Sequence, residues 1–213
     1  MGSRQRQNNQ VTVKTIENLI QECYRLERIG KMDLALQRGD EADRLARSQG
    51  KNDLAASALA SQAIVHAHLG HYTKARELAE EALSITSAKA PGRSEASIAL
   101  GICASETDDL DAAEIHYHRA IDLCRETGDY ENLARALHDL ASGIYYPRGQ
   151  FDLALVTEHE VLQIASLHGI PSYQEFAWTT QVLVHLAACD WFRYGPSGIH
   201  RINSFQKRDR RRG

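Results

Sequence analysis

Histidines are the residues of this sequence best suited to metal or acid–base chemistry, and two groups concentrate them, His66-x-His68-x-x-His71 and His116-x-His118. Ligands that converge on one helix stand three or four positions apart, whereas residues two apart point to opposite sides. The pairs His66/His68 and His116/His118 therefore diverge. No His-Glu-x-x-His occurs, and Glu114 with His118 lacks a second histidine on its face. The four cysteines, Cys23, Cys103, Cys124 and Cys189, are widely separated and form no Cys-x-x-Cys pair. Gly-x-Ser-x-Gly and the phosphate-binding Gly-x-x-x-x-Gly-Lys-Ser/Thr are both missing. These patterns predict no catalytic residue, no metal and no cofactor, with solvated or packing histidines and buried thiols at Cys103 and Cys124. An enzyme with a metal or acid/base site on helical elements is the weaker alternative.

Charge offers a second kind of chemistry. Residues 195–213 carry Arg201, Lys207, Arg208, Arg210, Arg211 and Arg212 against Asp209, while the whole chain has a net charge of −3, so the body is acidic. Nucleic-acid affinity rests on cationic neutralisation of phosphates, and an acidic body argues against it. The short basic run beside Gly195, Pro196, Ser197 and Gly198 reads as a solvated, disordered tail, with nucleic-acid contact as its alternative. The 213 residues are 43% hydrophobic and 7% aromatic, the composition of a soluble globular chain. The longest apolar stretch is too short for a membrane span, Met1 to Gln10 is too polar for a signal peptide, and the scattered cysteines suit a reducing, cytoplasmic setting.

The elements that hold these residues repeat. Gly-x-apolar-x-x-Ala occurs as Gly30 to Ala35, Gly70 to Ala75 and Gly149 to Ala154, and Asp108 to Ala113 is a fourth copy with Asp in the glycine slot. The leading positions are 40, 38 and 41 apart. The glycine suits a left-handed helix stop, and the alanine lets two helices approach closely. Two positions before the alanine stand Asp33, Thr73, Asp111 and Asp152, which the pattern predicts as helix N-caps; Asp111 with Glu114 and Ser172 with Glu175 have capping-box spacing. Seven positions beyond the alanine come Ala42, Ala82, Ala120 and Val161, and Ala113, Tyr117, Ala120, Ile121 and Cys124 form one helical apolar stripe. A second break recurs near Gly50, Pro91, Gly128 and Gly169.

The spacing predicts helices at 11–29, 33–49, 52–69, 73–89, 93–106, 111–127, 130–146, 152–168 and 172–194, with no strand. Antiparallel helix pairs on a fixed period make an all-α solenoid, an α-α superhelix in which each pair buries its stripe against its neighbours. The expected organisation is a disordered N-terminus over 1–10, a solenoid of four helix pairs and an incomplete fifth over 11–194, and the disordered tail over 195–213.

The Gly-x-aromatic-x-x-Ala skeleton with its second alanine resembles the tetratricopeptide repeat over most of Val11 to Tyr194. Its long period is similar to that of MalT-like bacterial regulators. Gly39 and Glu158 depart from it, standing four after the alanine where the family favours an apolar or aromatic side chain. The resemblance implies a non-catalytic scaffold that binds a peptide or helix of a partner protein, possessing the sensing role of a bacterial regulatory system as its finer reading. Its inward slots fall on Tyr24, Arg28, Ile64, His68, Ile102, Glu106, His138 and Tyr145, which are expected to line one concave groove. They lack the Lys/Asn arrangement that clamps a terminal carboxylate. A failed fifth repeat, with Trp191 in its aromatic slot but Tyr194 in place of the alanine, leaves the last helix unpaired. Phe176, Leu183 and Leu186 are then expected to face water and to be covered by self-association or a partner, or to meet further repeats of a longer solenoid.

Overall fold

The computed structural model describes the backbone of residues 2–88 and 90–194 and the side chains of residues 13–88 and 90–189. The basic tail expected over 195–213 lies outside the described residues. Among those residues the chain is all-helical, in the order α1 (Gly2–Arg28), α2 (Met32–Ser48), α3 (Asn52–His68), α4 (Tyr72–Ile85), α5 (Pro91–Glu106), α6 (Leu110–Thr127), α7 (Tyr130–Leu140), α8 (Phe151–His168) and α9 (Pro171–Tyr194). A π-helical turn, Ala141–Tyr145, extends α7.

Each helix packs antiparallel on the next, and α1, α3, α5, α7 and α9 also touch in succession. The odd-numbered helices therefore form an inner layer and the even-numbered ones an outer layer. Exposed ion pairs link outer neighbours, Arg47 to Glu81 at 2.7 Å and Arg125 to Glu160 at 2.8 Å. This is the α-solenoid that the period predicts.

Repeat residues carry the packing. Ala35, Ala75, Ala113 and Ala154 are fully buried, as are Ala42, Ala82, Ala120 and Val161 seven positions on. The inner helices α3 and α5 are buried nearly all round, which their run of Ala, Ser and Gly makes feasible. Gly92 lies so close to α3 that an added Cβ would stand 2.7 Å from the Ser57 nitrogen and 2.9 Å from the Ala56 carbonyl carbon. Gly101 does the same for the Tyr117 ring, at 2.7 Å.

The helix starts differ from the capping pattern. Lys31, His71, Asp109 and Gln150 occupy the cap positions, which puts Asp33, Thr73, Asp111 and Asp152 inside the first turn. The reason lies in the stop that precedes them. Gly30 is left-handed at φ 73°, and Lys31 N–H bonds back to the Leu26 carbonyl at 2.9 Å, so the chain has already turned when Lys31 begins the next helix. Asp109 alone of these four cap residues accepts a side-chain hydrogen bond, from the Ala112 nitrogen at 3.1 Å. Asp111 and Glu114 close no capping box and instead hold Arg148. Ser172 likewise falls inside α9, after Pro171.

Three other boundaries shift. Helix α1 is described from Gly2, upstream of position 11, where the apolar pattern begins; the Gln/Asn-rich residues before it contain no proline. Helix α4 ends at Ile85 rather than near 89, because Thr86 is extended and Pro91 requires Ala90 to be extended as well. The longer step of 41 between the last two copies is absorbed by the π turn, where Tyr146 N–H reaches the Ala141 carbonyl at 2.9 Å, five residues back.

Candidate functional site

The C-terminal end of α1 meets the N-terminal halves of α5 and α7 on the inner layer, and their polar side chains form a connected cleft. Glu27 of α1, 6% exposed, accepts from Arg135 of α7 at 2.8 Å and stands 2.8 Å from His68 Nδ1 of α3. Arg135, 7% exposed, also donates to Tyr173 Oη at 2.9 Å, and its guanidinium lies 5.6 Å from the centre of the Tyr24 ring, within cation–π range. Burial alone would raise the Glu27 carboxyl; the Arg135 charge and the His68 contact outweigh it and hold it at about 2. Arg28 bonds Glu131 at 2.7 Å beside this network.

A recessed cavity of about 260 Å³ lies next to it, lined by residues that include Tyr24, Arg28, Glu95, Asp129, Asn132 and Arg135. Glu95 sits in the buried run Ser94-Glu95-Ala96-Ser97 of α5 and is 3% exposed. Asn132 Nδ2 reaches its Oε1 at 3.5 Å and Asp129 Oδ2 at 2.8 Å. Glu95 Oε2 and Tyr24 Oη have no hydrogen-bond partner. The two groups are near enough to influence each other's ionisation. Burial first, and the Asp129 charge second, push the Glu95 carboxyl up to about 7. Burial and Glu95 likewise hold the Tyr24 phenol well above its ordinary value.

A second buried pair lies further along α7. His138 Nδ1 stands 2.9 Å from Oε1 of the fully buried Glu158, and the Phe176 ring stacks on the imidazole with centroids 5.6 Å apart. Burial would lower the His138 value, but Glu158 reverses the direction and raises it. Glu158 occupies the slot where the repeat pattern expects an apolar residue, and a histidine across the helix pair answers it.

Residues 93–166 match the family model described as a tetratricopeptide repeat. This segment carries tetratricopeptide repeats. Among solved structures it is similar to the crystal structure of BtubC (BKLC) from P. vanneervenii, with a TM-score of 0.59 and 18% sequence identity, covering 94% of this chain and 90% of that chain. At that identity the likeness is one of fold, and it takes in the helices on both sides of the matched segment. No curated protein matches the sequence.

The eight inward slots of the tetratricopeptide pattern do not share one groove. Tyr24, Arg28 and His68 come together around Glu27 and Arg135. Ile64, at 0% exposure, and Ile102, at 6%, are core residues, and Tyr145 is buried in the π turn. Glu106 is exposed and accepts from Tyr72 at 3.4 Å, away from the cleft. His138 is engaged by Glu158 and covered by Phe176. The physical reason is displacement along the helix axes: the end of α1 faces the beginnings of α5 and α7, whereas the slots all fall toward helix ends.

Glu27, Glu95, Asp129, Glu131, Asn132, Arg135 and Tyr173 are not candidate site residues in the sequence reading, and Glu158 stands out there only as a departure from the repeat pattern. Two of them carried a signal. Glu95 and Arg135 are lone charges in small-residue or leucine–alanine runs, Ser94 to Ser97 and Leu133 to Leu137, and a charge inside such a run is either paired or functional. The histidines behave as the spacing implies in one respect, since His68 turns to Glu27 while His66 does not. His66 and His71 do approach across the turn, with Nδ1 atoms 3.3 Å apart. Among the described residues no group of three or more His, Cys, Asp and Glu could hold a metal ion, and no helix is long and apolar enough to cross a membrane. Cys103 and Cys124 are fully buried.

Proposed function

We propose that this chain is a non-catalytic protein-interaction scaffold that takes a peptide or helix of a partner protein along its inner layer. The repeats support protein–protein interaction in general. The observation that carries the reading here is the cleft between α1, α5 and α7, where charged groups of both signs are held in place by buried partners and a recessed cavity opens beside them. Rigid, preorganised polar groups lose little freedom when a partner binds. The long repeat period supports the finer reading, a sensing segment of a bacterial regulatory system, and buried free thiols at Cys23, Cys103 and Cys124 suit a reducing, cytoplasmic setting.

Selection of peptides from a displayed random library tests this. The expected result is enrichment of peptides whose affinity falls when Glu131→Ala or Asn132→Ala alters the cleft of a folded chain. No enrichment, or binders indifferent to both substitutions, would overturn the assignment.

The exposed face of α9 favours self-association as a second interaction. Trp178, Val182 and Leu186 recur at helical spacing and are each more than half exposed, and Phe176 and Leu183 lie beside them. A second copy of the chain would cover this stripe.

A further inference from the structure

The cavity beside the Glu27–Arg135 pair holds more carboxylate than its cations neutralise. Of its two arginines, Arg135 is bonded to Glu27 and Arg28 to Glu131. Glu95 and Asp129 then face each other with Asn132 between them and no cation of their own. Glu95 and Tyr24 both line this cavity, and Glu95 Oε2 and Tyr24 Oη are buried without a hydrogen-bond partner. A buried acceptor without a donor carries a desolvation cost that a bound donor removes. The helices fix all of these groups: Glu95 sits on the tightly packed α5, Asp129 caps α7 through the Asn132 nitrogen at 3.2 Å, and Tyr24 is clamped by the Arg135 guanidinium.

The chemistry that would recognise this arrangement is a compact cation with several donors and no acceptor. An alkylammonium group has three donors on a tetrahedral nitrogen, to match Glu95 Oε2, Tyr24 Oη and the Asp129 carboxylate. Accepting from the ammonium at Tyr24 Oη leaves the phenol proton free to point at Glu95. A guanidinium is planar and is matched best by coplanar acceptors, whereas the acceptors here come from three separate elements, α1, α5 and the cap of α7. We propose that this cavity is the receptor for a lysine side chain presented by the partner that binds the inner layer. It rests on the interaction reading above and names the chemistry of the partner's anchoring residue.

The test uses the full chain and Nα-acetyl-lysine methylamide as probe, followed by amide NMR. The expected result is saturable shifts centred on Asn132, Asp129 and Tyr24, no such response to the Nε-acetylated probe of the same length, and affinity about tenfold weaker or worse in Glu95→Gln. Tyr24→Phe, which keeps the ring over Arg135, gives the same direction if Glu95→Gln does not fold. No saturable shift at the cavity, an equal response to the Nε-acetylated probe, or a response to the arginine counterpart alone would each overturn the proposal. The two readings fail separately. Library peptides that bind the cleft, lack lysine and ignore Glu95→Gln would sink the lysine receptor and leave the scaffold standing. Lysine-probe shifts with no peptide ever enriched would do the reverse.

Discussion

Glu27 and Arg135 stand 108 positions apart in sequence and 2.8 Å apart in space, a buried ion pair that joins the first inner helix to the fourth. Solenoid contacts are mostly between neighbours, so a bond from α1 to α7 ties together inner helices that are not adjacent in the stack. Removing one partner leaves the other charged and buried. Glu27→Gln is therefore expected to lower stability by about 3 kcal/mol or more, read by chemical denaturation, and Glu27→Leu with Arg135→Met together by much less. A loss in the double variant equal to the sum of the losses from Glu27→Leu and Arg135→Met alone would show that the pair contributes no coupling.

The same carboxyl sets the acid limit. Its folded value is about 2 against an ordinary 4.5, so its contribution is present above pH 4.5 and is lost as pH falls toward 2. Urea midpoints measured across that window should drop in the parent chain and flatten in Glu27→Gln.

Glu95 acts with the opposite sign. Its folded value of about 7 lies above 4.5, so the folded chain holds the proton more tightly and stability falls as pH rises from 4.5 toward 7. Tyr24, Ser57, Asp129 and Asn132 are the groups that bear on it. His138, also raised, begins to lose its contribution above 6.5, and Asp43, Asp139, His66 and His116 are shifted too, so Glu95 is read from the difference between the parent chain and Glu95→Gln over pH 4.5 to 6.5. In that window Glu95→Gln should remove a decline whose full extent is on the order of 3 kcal/mol. Identical pH profiles for the parent chain and Glu95→Gln in that window would refute the account of Glu95.

Two backbone positions should respond in opposite directions. Gly92→Ala drives a methyl into the α3 backbone and is expected to cost roughly 1–3 kcal/mol. Asp108, left-handed at φ 65° in the slot that other copies fill with glycine, should gain on the order of 1 kcal/mol when changed to glycine. Thermal melts of the two variants read both.

Ala113→Arg places a charge at a fully buried contact and should destabilise by several kcal/mol. Unchanged melting in that variant would contradict the repeat register.

The stripe on α9 gives a prediction in solution. Light scattering at micromolar concentration should show an oligomer that Trp178→Lys with Val182→Glu returns to monomer. A monomeric parent chain would remove the self-association reading.

The sequence by itself determined the all-α solenoid, the helix order and the repeat core, because the Gly stop, the small Ala and the anchor seven residues on are local patterns whose period of about 40 leaves one way to stack. It also determined that α9 would expose Phe176, Leu183 and Leu186, since no capped partner helix follows in the pattern. It misplaced the N-caps by two residues because the left-handed Gly30 turn completes the reversal before Asp33 is reached. The cleft was decided by tertiary structure alone. Tyr24, Glu27, Glu95 and Arg135 come from three helices, and which turn of α1 faces which turn of α5 and α7 depends on how far each helix pair slides along its neighbour. That offset is set by contacts such as Gly92 against Ala56 and Ser57, which hold the backbones together at distances no linear spacing records.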